Sequence, residues 1–193
     1  MRRVIVTNNI SLDGVMQAPG RPDEDTRDGF TRGGWAQPFQ DPVMGAEMGR
    51  DMGKTGALLF GRRTYQDFFQ VWPNRTDNPF TEVLDNTRKY VVSTTLTEPL
   101  PWQNSTLIGG DAVTAVTALK AESGGDLAIL GSGALIRSLL PHGLIDAFVL
   151  LIHPLLLGSG QRLFPDTGTP TELKLVRSVP TTTGVIIATY EPA

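Results

Sequence analysis

The sequence predicts an α/β fold with a mixed sheet, and three features of its apolar pattern indicate this class. Short apolar runs of about four to eight residues, typical of buried strands, recur along the chain. Most of them alternate with segments whose apolar residues follow helical spacing, as in parallel strands joined by helices. The last two strand candidates follow each other without a helix, which indicates an antiparallel end to the sheet.

The elements can be placed in order along the chain. We expect eight strands, at residues 4–11, 57–61, 89–93, 105–109, 127–130, 147–154, 172–179 and 184–190. We expect four or five helices, with candidates at residues 42–54, 64–71, 79–87, 111–122 and 134–140. Asp41 and Pro42 support the start of the first helix, because an aspartate N-cap followed by proline is a common helix start.

Length and composition limit the classes of protein to which the chain could belong. With 193 residues and 40% hydrophobic content, residues 1–193 are expected to form one domain around one core. The net charge of −3 comes with no basic run, which disfavours nucleic acid or an anionic membrane as a partner. The apolar runs are too short for a signal peptide or a membrane span. We therefore expect a cytoplasmic protein.

Metal and disulfide sites are not favoured either. The chain has no cysteine, so it offers neither a disulfide nor a thiolate metal site. It has two histidines, His142 and His153, and both lie beside prolines at the ends of elements. Two histidines are too few for a typical zinc site, so we interpret both as structural and expect no metal.

The stretch LGSGAL at residues 130–135 leaves two interpretations open. A strand that ends in glycines and leads directly into a helix directs free backbone N–H groups at one point, which suits a phosphate. The same residues are equally compatible with a plain strand-to-helix turn. A generic dinucleotide fingerprint is disfavoured, because Ile136 stands where the third glycine belongs and no acid follows about twenty residues later. GRDMGKT at residues 49–55 also fails the P-loop pattern, because Met48 replaces its first glycine.

Three predicted strand ends carry residues that suit a phosphate ligand. Residues 61–64, with sequence GRRT, place two arginines where the second strand meets a helix, and an arginine can bind phosphate with two donors. Ser93 ends the third strand, and residues 131–133 end the fifth. Ligands of open α/β sheets bind beyond the carboxyl ends of strands, so these ends predict one extended, phosphorylated ligand.

A long polar loop, residues 12–39, separates the first strand from the first helix. Loops of this length in a compact domain are uncommon and usually functional. Asp13 follows the first strand, where it either forms a turn with Gly14 or carries chemistry. Trp35 and Phe39 could form the floor for a planar heterocycle, or they could belong to the core.

Five motifs together resemble a known family. GRRTYQD (residues 61–67) resembles the Gly-Arg-x-Thr motif of dihydrofolate reductases, and ILGSGALIRSLLP (129–141) is similar to their strand, turn and helix. NISLDGVMQAP (9–19), GLIDAF (143–148) and HPLLLGSGQRLF (153–164) are closer to the reductase domain of bacterial riboflavin biosynthesis. The resemblance covers most of residues 4–164. It implies a three-layer fold with a twisted eight-stranded mixed sheet and flanking helices.

The resemblance also implies a function and a site. The function would be that of an NADPH-dependent reductase that transfers hydride to a small heterocyclic, pterin-like or pyrimidine-like, or carbonyl substrate. The implied cofactor residues are Gly61, Arg62, Arg63, Thr64, Ser93, Gly131, Ser132, Gly133, Ala134 and Leu135. Asp13 would be the catalytic residue and would form the substrate pocket with Trp35 and Phe39. The resemblance and the apolar late strands also imply a homodimer.

Two positions depart from the patterns of the family. Gln40 stands where bacterial dihydrofolate reductases carry the carboxylate that binds the pterin, and Asp41 comes one residue later. The sequence after SLDG lacks the lysine that riboflavin reductases commonly carry. These departures disfavour folate and the riboflavin precursor as substrates. A nucleotide-binding protein without turnover remains the alternative function.

Overall fold

A computed structural model describes residues 1–164 and 170–193, and its strands form one eight-stranded sheet. The strands are β1 (Val4–Ser11), β2 (Thr55–Gly61), β3 (Arg88–Val92), β4 (Ser105–Ile108), β5 (Asp126–Leu130), β6 (Ala147–His153), β7 (Leu173–Pro180) and β8 (Ile186–Pro192). The helices are α1 (Pro42–Met52), α2 (Arg62–Val71), α3 (Phe80–Asn86), α4 (Ala112–Ala121) and α5 (Gly133–Leu139). Each matches an element that the sequence predicts, with small shifts at the ends. Among the described residues, no helix has both the length and the apolar content needed to cross a bilayer.

The sheet is parallel along most of its width and antiparallel at one edge. Its order is β4-β3-β2-β5-β1-β6-β8-β7. The first six of these strands pair in parallel, whereas β8 runs antiparallel to both β6 and β7. This confirms the predicted antiparallel end. Because β2, β5 and β1 are adjacent and parallel, their carboxyl ends meet at one edge of the sheet.

Side chains that alternate along the central strands face two helical layers. On one face Val4, Leu127 and Phe148 are buried in a cluster that includes residues of α4 and α5. On the other face Leu58 and Phe60 are buried with residues of α2 and α3. Successive strand residues point to opposite faces, so apolar runs without alternation produce a sheet covered on both sides. The predicted three-layer fold is confirmed.

Local signals explain where α1 and α2 begin. The Asp41 carboxylate accepts a hydrogen bond from the Val43 amide at 2.6 Å, so it caps α1 as the sequence predicts. α2 begins at Arg62, two residues before the predicted start, because Gly61 takes the N-cap position. The two arginines of GRRT therefore lie in the first turn of a helix and not in a preceding loop.

Candidate functional site

Two strand-to-helix turns meet at the carboxyl edge of the sheet and bind each other. The Gly61 amide, at the end of β2, donates to the Ser132 hydroxyl at 3.0 Å. The Ser132 amide, after β5, donates to the Thr64 hydroxyl at 3.1 Å. These reciprocal bonds hold the GRRT segment against the GSG segment. Motifs that are about seventy residues apart in sequence thus form one structural unit.

The turn after β5 has an unusual backbone. Gly131 has φ +66°, and Ser132 is left-handed with φ 56° and ψ 47°. Few residues other than glycine adopt this conformation, so a serine there needs compensating contacts. Ser132 is buried, and its hydroxyl and amide both take part in the bonds to the β2–α2 turn. The predicted turn is therefore fixed by tertiary contacts.

The first turn of α2 presents positive charge and N–H donors that have no partner among residues 1–164 and 170–193. Gly61 provides no side-chain cap, and the helix has ten residues, so its first amides and its dipole are open to a ligand. Arg62 is half-buried and Arg63 is exposed. Neither guanidinium has a carboxylate partner within the described part of the chain. This combination suits a phosphate.

Both turns open onto one large cleft. Its volume is about 1450 Å³, which exceeds the range of roughly 300 to 1000 Å³ usual for one small ligand. A cofactor and a second molecule would both fit. Nine of the ten residues predicted to bind the cofactor line this cleft: Gly61, Arg62, Arg63, Thr64, Gly131, Ser132, Gly133, Ala134 and Leu135.

Ser93 is the predicted cofactor residue that the structure places elsewhere. It is buried and does not line the cleft. Its hydroxyl accepts hydrogen bonds from the amides of Thr95 and Leu96, both at 3.1 Å. Ser93 therefore closes the turn after β3, and its hydroxyl is already used by the protein.

Asp13, predicted as the catalytic residue, has a structural setting. Its carboxylate accepts from the Ser11 hydroxyl at 2.6 Å and from the amides of Leu157 and Gly158 at 3.1 and 2.7 Å. These bonds hold the pKa of Asp13 down, to about 2. The residue does not line the cleft. Asp13 ties the turn after β1 to the loop after β6. Its place on the substrate side stays a prediction.

Trp35 and Phe39, predicted to line the substrate pocket, belong to the interior. Trp35 is buried, and its indole N–H donates to the Gln17 carbonyl at 2.7 Å. Both rings pack edge-on against His153, with centroids 5.1 and 5.4 Å away, and neither lines the cleft. Both rings therefore contribute to packing within the protein, and a role of either in a substrate pocket stays a prediction.

His153 has the structural role that the sequence indicated. The ring is fully buried, and its Nε2 lies 2.9 Å from the Asn9 side-chain oxygen. Burial lowers the pKa of His153 to about 4, so the ring is neutral near pH 7. It fills the space between Trp35 and Phe39.

The loop covers the opposite side of the cleft with residues that no sequence motif singled out as ligand-binding. Arg21 in the loop forms an ion pair with Asp67 of α2, and both residues line the cleft. Glu24 accepts from the amides of Gly20 and Arg21 at 2.6 and 3.0 Å, and burial raises its pKa. Asp67 belongs to the GRRTYQD motif and lies one helical turn after Thr64, on the same side of α2. This spacing is the feature of the sequence that could have placed Asp67 at the cleft.

The two residues that precede α1 differ in their relation to the cleft. Gln40 lines the cleft, whereas the Asp41 carboxylate accepts hydrogen bonds from the Val43 and Thr182 amides and lies outside it. The neutral residue therefore faces the cleft, and the carboxylate next to it caps α1 and binds Thr182.

The fold is that of the dihydrofolate reductase-like α/β proteins. The structure matches dihydrofolate reductase of Enterococcus faecalis, solved in complex with NADP(H), with a TM-score of 0.64 over 98% of this chain and 96% of that one, at 14% identity. The chain belongs to the RibD C-terminal domain family, whose model matches residues 2–187.

Two further solved structures and one protein sequence are also similar to this chain. A putative riboflavin biosynthesis protein from Shewanella sp. PV-4 matches with a TM-score of 0.69 at 23% identity, over 99% of both chains. A pyrimidine reductase-like protein from Corynebacterium diphtheriae matches with a TM-score of 0.66 at 15% identity, over 100% of this chain and 92% of that one. In sequence, the uncharacterized protein YyaP of Bacillus subtilis is 29% identical, over 98% of this chain and 94% of its own length.

Proposed function

We propose that this protein is an NADPH-dependent reductase that transfers hydride to a small heterocyclic or carbonyl substrate. The observation that carries the proposal is the pair of joined turns at the carboxyl edge of the sheet, with two unpaired arginines beside a cleft large enough for two molecules. The family and the names of the structural neighbours support a reductase. The hydride itself would come from the nicotinamide ring of NADPH.

The residues of the two turns fit the parts of this cofactor. The open amides of α2 and the guanidinium groups of Arg62 and Arg63 suit phosphate groups, including the 2′-phosphate that distinguishes NADPH from NADH. The glycine-rich turn at residues 131–134 allows the backbone to approach a ligand closely. Leu135 adds an apolar contact in the same cleft. The chain would thus orient both reactants and exclude water between them.

Cofactor choice tests the role of the arginines. We expect NADPH to bind more tightly than NADH, and Arg62→Ala to narrow this preference by about 1 to 3 kcal/mol, the contribution of a hydrogen bond to a charged group. Arg63→Ala measured in parallel would show which arginine dominates. Calorimetric titrations give both affinities. Arg88→Ala is the matched control, because Arg88 is exposed and lies outside the cleft. Equal wild-type affinities for the two nucleotides would refute the assignment.

A protein that binds the nucleotide without turnover is the second candidate function. The structural setting of Asp13 favours it, because the carboxylate predicted to act on the substrate lies outside the cleft. Oxidation of NADPH against a panel of pterins, ribosylated pyrimidines and quinones separates the two. Turnover of any compound in the panel supports the reductase, and tight NADPH binding without oxidation supports the binding protein.

We further propose that the protein is a homodimer that uses the antiparallel edge of its sheet. β7 lies at this edge, and Leu175, Val176 and Ile186 are each about half exposed there. An edge strand with exposed apolar residues needs cover, which a second copy would supply. Light scattering at micromolar concentration should give the mass of two chains, and a monomer mass would contradict the proposal.

A further inference from the structure

Four of the five methionines of the chain line the cleft: Met16, Met44, Met48 and Met52. Three of them lie on α1 at intervals of four residues, so they share one face of the helix. At 1.5 Å per residue, this face forms an apolar strip about 12 Å long. Met44 is buried, whereas Met48 and Met52 are half-buried.

The strip continues into other apolar walls of the same cleft. Met44 and Met48 pack in a cluster with Leu151 of β6. Met52 packs in a cluster with Phe68, Trp72 and Leu84, and all of these residues line the cleft. A smaller cavity of about 320 Å³ shares Met52 with the cleft, so the apolar surface extends beyond the end of α1.

The unpaired arginines lie at the other end of α2 from the residues that pack on Met52. Among the described residues of the cleft, the arginines without a carboxylate partner are Arg62 and Arg63 in the first turn of α2, and Arg137 on α5. Trp72 follows the last turn of α2, about 15 Å along the helix from Arg62. Arg75, which lies against the Trp72 ring at 5.2 Å, is paired with Asp77 at 3.3 Å. Among the described residues, the part of the cleft around Met52 and Trp72 therefore offers no unpaired cation for a phosphate.

We propose that the substrate carries an apolar substituent, not a sugar phosphate, and that this substituent lies on the α1 methionine strip. The inference rests on the proposed function and names the substrate class of the same site. Methionine is flexible and polarizable, and it fills irregular spaces against ligands of different shapes. The strip would therefore accept alkyl and aryl groups of several sizes, whereas it offers no partner for an anionic group.

Binding of a matched series tests the proposal. The probes are 6-aminouracils whose amino nitrogen carries hydrogen, a butyl group, an octyl group or ribosyl 5-phosphate, titrated by calorimetry with NADPH present and absent. We expect the octyl probe to bind at least tenfold more tightly than the unsubstituted one, because burying methylene groups is favourable. The ribosyl phosphate should bind no more tightly than the butyl probe.

Three variants test whether the alkyl probes bind at the methionine strip or at apolar surface elsewhere. Met48→Lys places a charge in the strip, so probe affinity should no longer rise with chain length. Met48→Leu keeps the strip apolar, so the rise in affinity should remain. Leu156→Lys is the control, because Leu156 is exposed and lies outside the cleft. Thermal midpoints and NADPH affinities check that each variant is folded.

The outcomes distinguish this inference from the proposed function. It is overturned if the ribosyl phosphate binds most tightly, if chain length has no effect, if the octyl probe does not bind, or if its gain persists in Met48→Lys. NADPH binding without a chain-length effect would refute the methionine strip alone. A chain-length effect without NADPH binding would refute the proposed reductase and leave the strip as a ligand site.

Discussion

The two sides of the cleft differ in how their residues are used. On the strand-end side, the Arg62 and Arg63 side chains and the first amides of α2 have no polar partner among the described residues, so they are available to a ligand. The loop on the opposite side keeps Asp13 and Trp35 outside the cleft, where they are engaged in hydrogen bonds and packing within the protein. Polar and aromatic residues in a long loop therefore first serve to hold that loop in place. Variants on both sides test this difference, and the largest effects are expected on the loop side.

Trp35 should matter most for stability and little for the cofactor. Trp35→Ala removes a buried indole and its hydrogen bond to Gln17, so the free energy of unfolding should fall by about 3 to 5 kcal/mol. Trp35→Phe keeps a ring against His153 and should lose less. Urea unfolding measures both variants, and NADPH titration below the unfolding transition should give the wild-type affinity. A large loss of NADPH affinity in a folded Trp35→Phe protein would show instead that Trp35 contributes to ligand binding.

His153 should make the loop side sensitive to acid. The folded protein keeps this ring neutral down to a pKa of about 4, whereas in the unfolded chain the ring takes up a proton near 6.5, the ordinary pKa of histidine. The unfolded state thus gains a proton first, and the free energy of unfolding should fall by about 3 kcal/mol between pH 6.5 and pH 4 because of this residue.

The control for His153 is His153→Gln, which cannot titrate. Urea unfolding at several pH values should show a weaker dependence on pH for this variant than for the wild type. The difference between the two proteins should stop growing below about pH 4. Parallel curves would show that His153 does not cause the acid sensitivity.

Asp13→Asn should destabilise the connection between the two loops. The variant loses the negative charge that the Leu157 and Gly158 amides bind, so the free energy of unfolding should fall by about 1 to 3 kcal/mol. The pKa of Asp13 is lowered to about 2, so the wild-type advantage should be complete above about pH 4 and should disappear as the pH falls through 2.

NADPH affinity and turnover distinguish a structural from a catalytic role of Asp13. NADPH affinity and turnover of any identified substrate should stay near wild-type values in Asp13→Asn. Asp77→Asn, at an exposed carboxylate, should leave stability within about 0.5 kcal/mol. If Asp13→Asn loses turnover and keeps its full stability, the residue is catalytic after all.

Gly133→Val should have the smallest energetic effect, and it acts on the strand-end side. A side chain at this position would meet the Met16 sulfur at 2.6 Å and the Arg137 guanidinium at 3.0 Å. Both are ends of flexible side chains, so the fold should survive. NADPH affinity should fall at least tenfold, about 1.4 kcal/mol, because the backbone can no longer approach the ligand closely.

Two further variants identify the cause of that loss. Gly109→Val is the matched control, because a side chain there would meet no atom within 4 Å and the residue lies outside the cleft. Met16→Ala combined with Gly133→Val removes the nearest clash. Wild-type affinity in the double variant would show that displaced Met16, and not direct obstruction of the ligand, weakens binding.

Local signals were sufficient for the elements and for one side of the cleft. Apolar periodicity predicted about eight strands and four or five helices, with a candidate for each element found, since one buried face or stripe leaves a pattern in the sequence. Asp41 and Pro42 predicted the start of α1 through a contact between near neighbours. Gly61 to Thr64 and Gly131 to Leu135 could be placed because the carboxyl ends of parallel strands meet at one edge.

By itself, the sequence determined the α/β class, the elements and the phosphate-compatible strand ends, because these depend on patterns within short segments. Only the tertiary structure decided which polar and aromatic residues remain free for a ligand. Asp13 is bound by amides about 145 residues away in sequence, and Trp35 in the loop packs on His153 of β6. Such partners leave no local pattern, so a carboxylate held by the fold and one that faces a substrate have the same appearance in the sequence. The α1 methionine strip became a candidate ligand surface for the same reason, since its spacing predicts only a buried helix face until the cleft beside it is known.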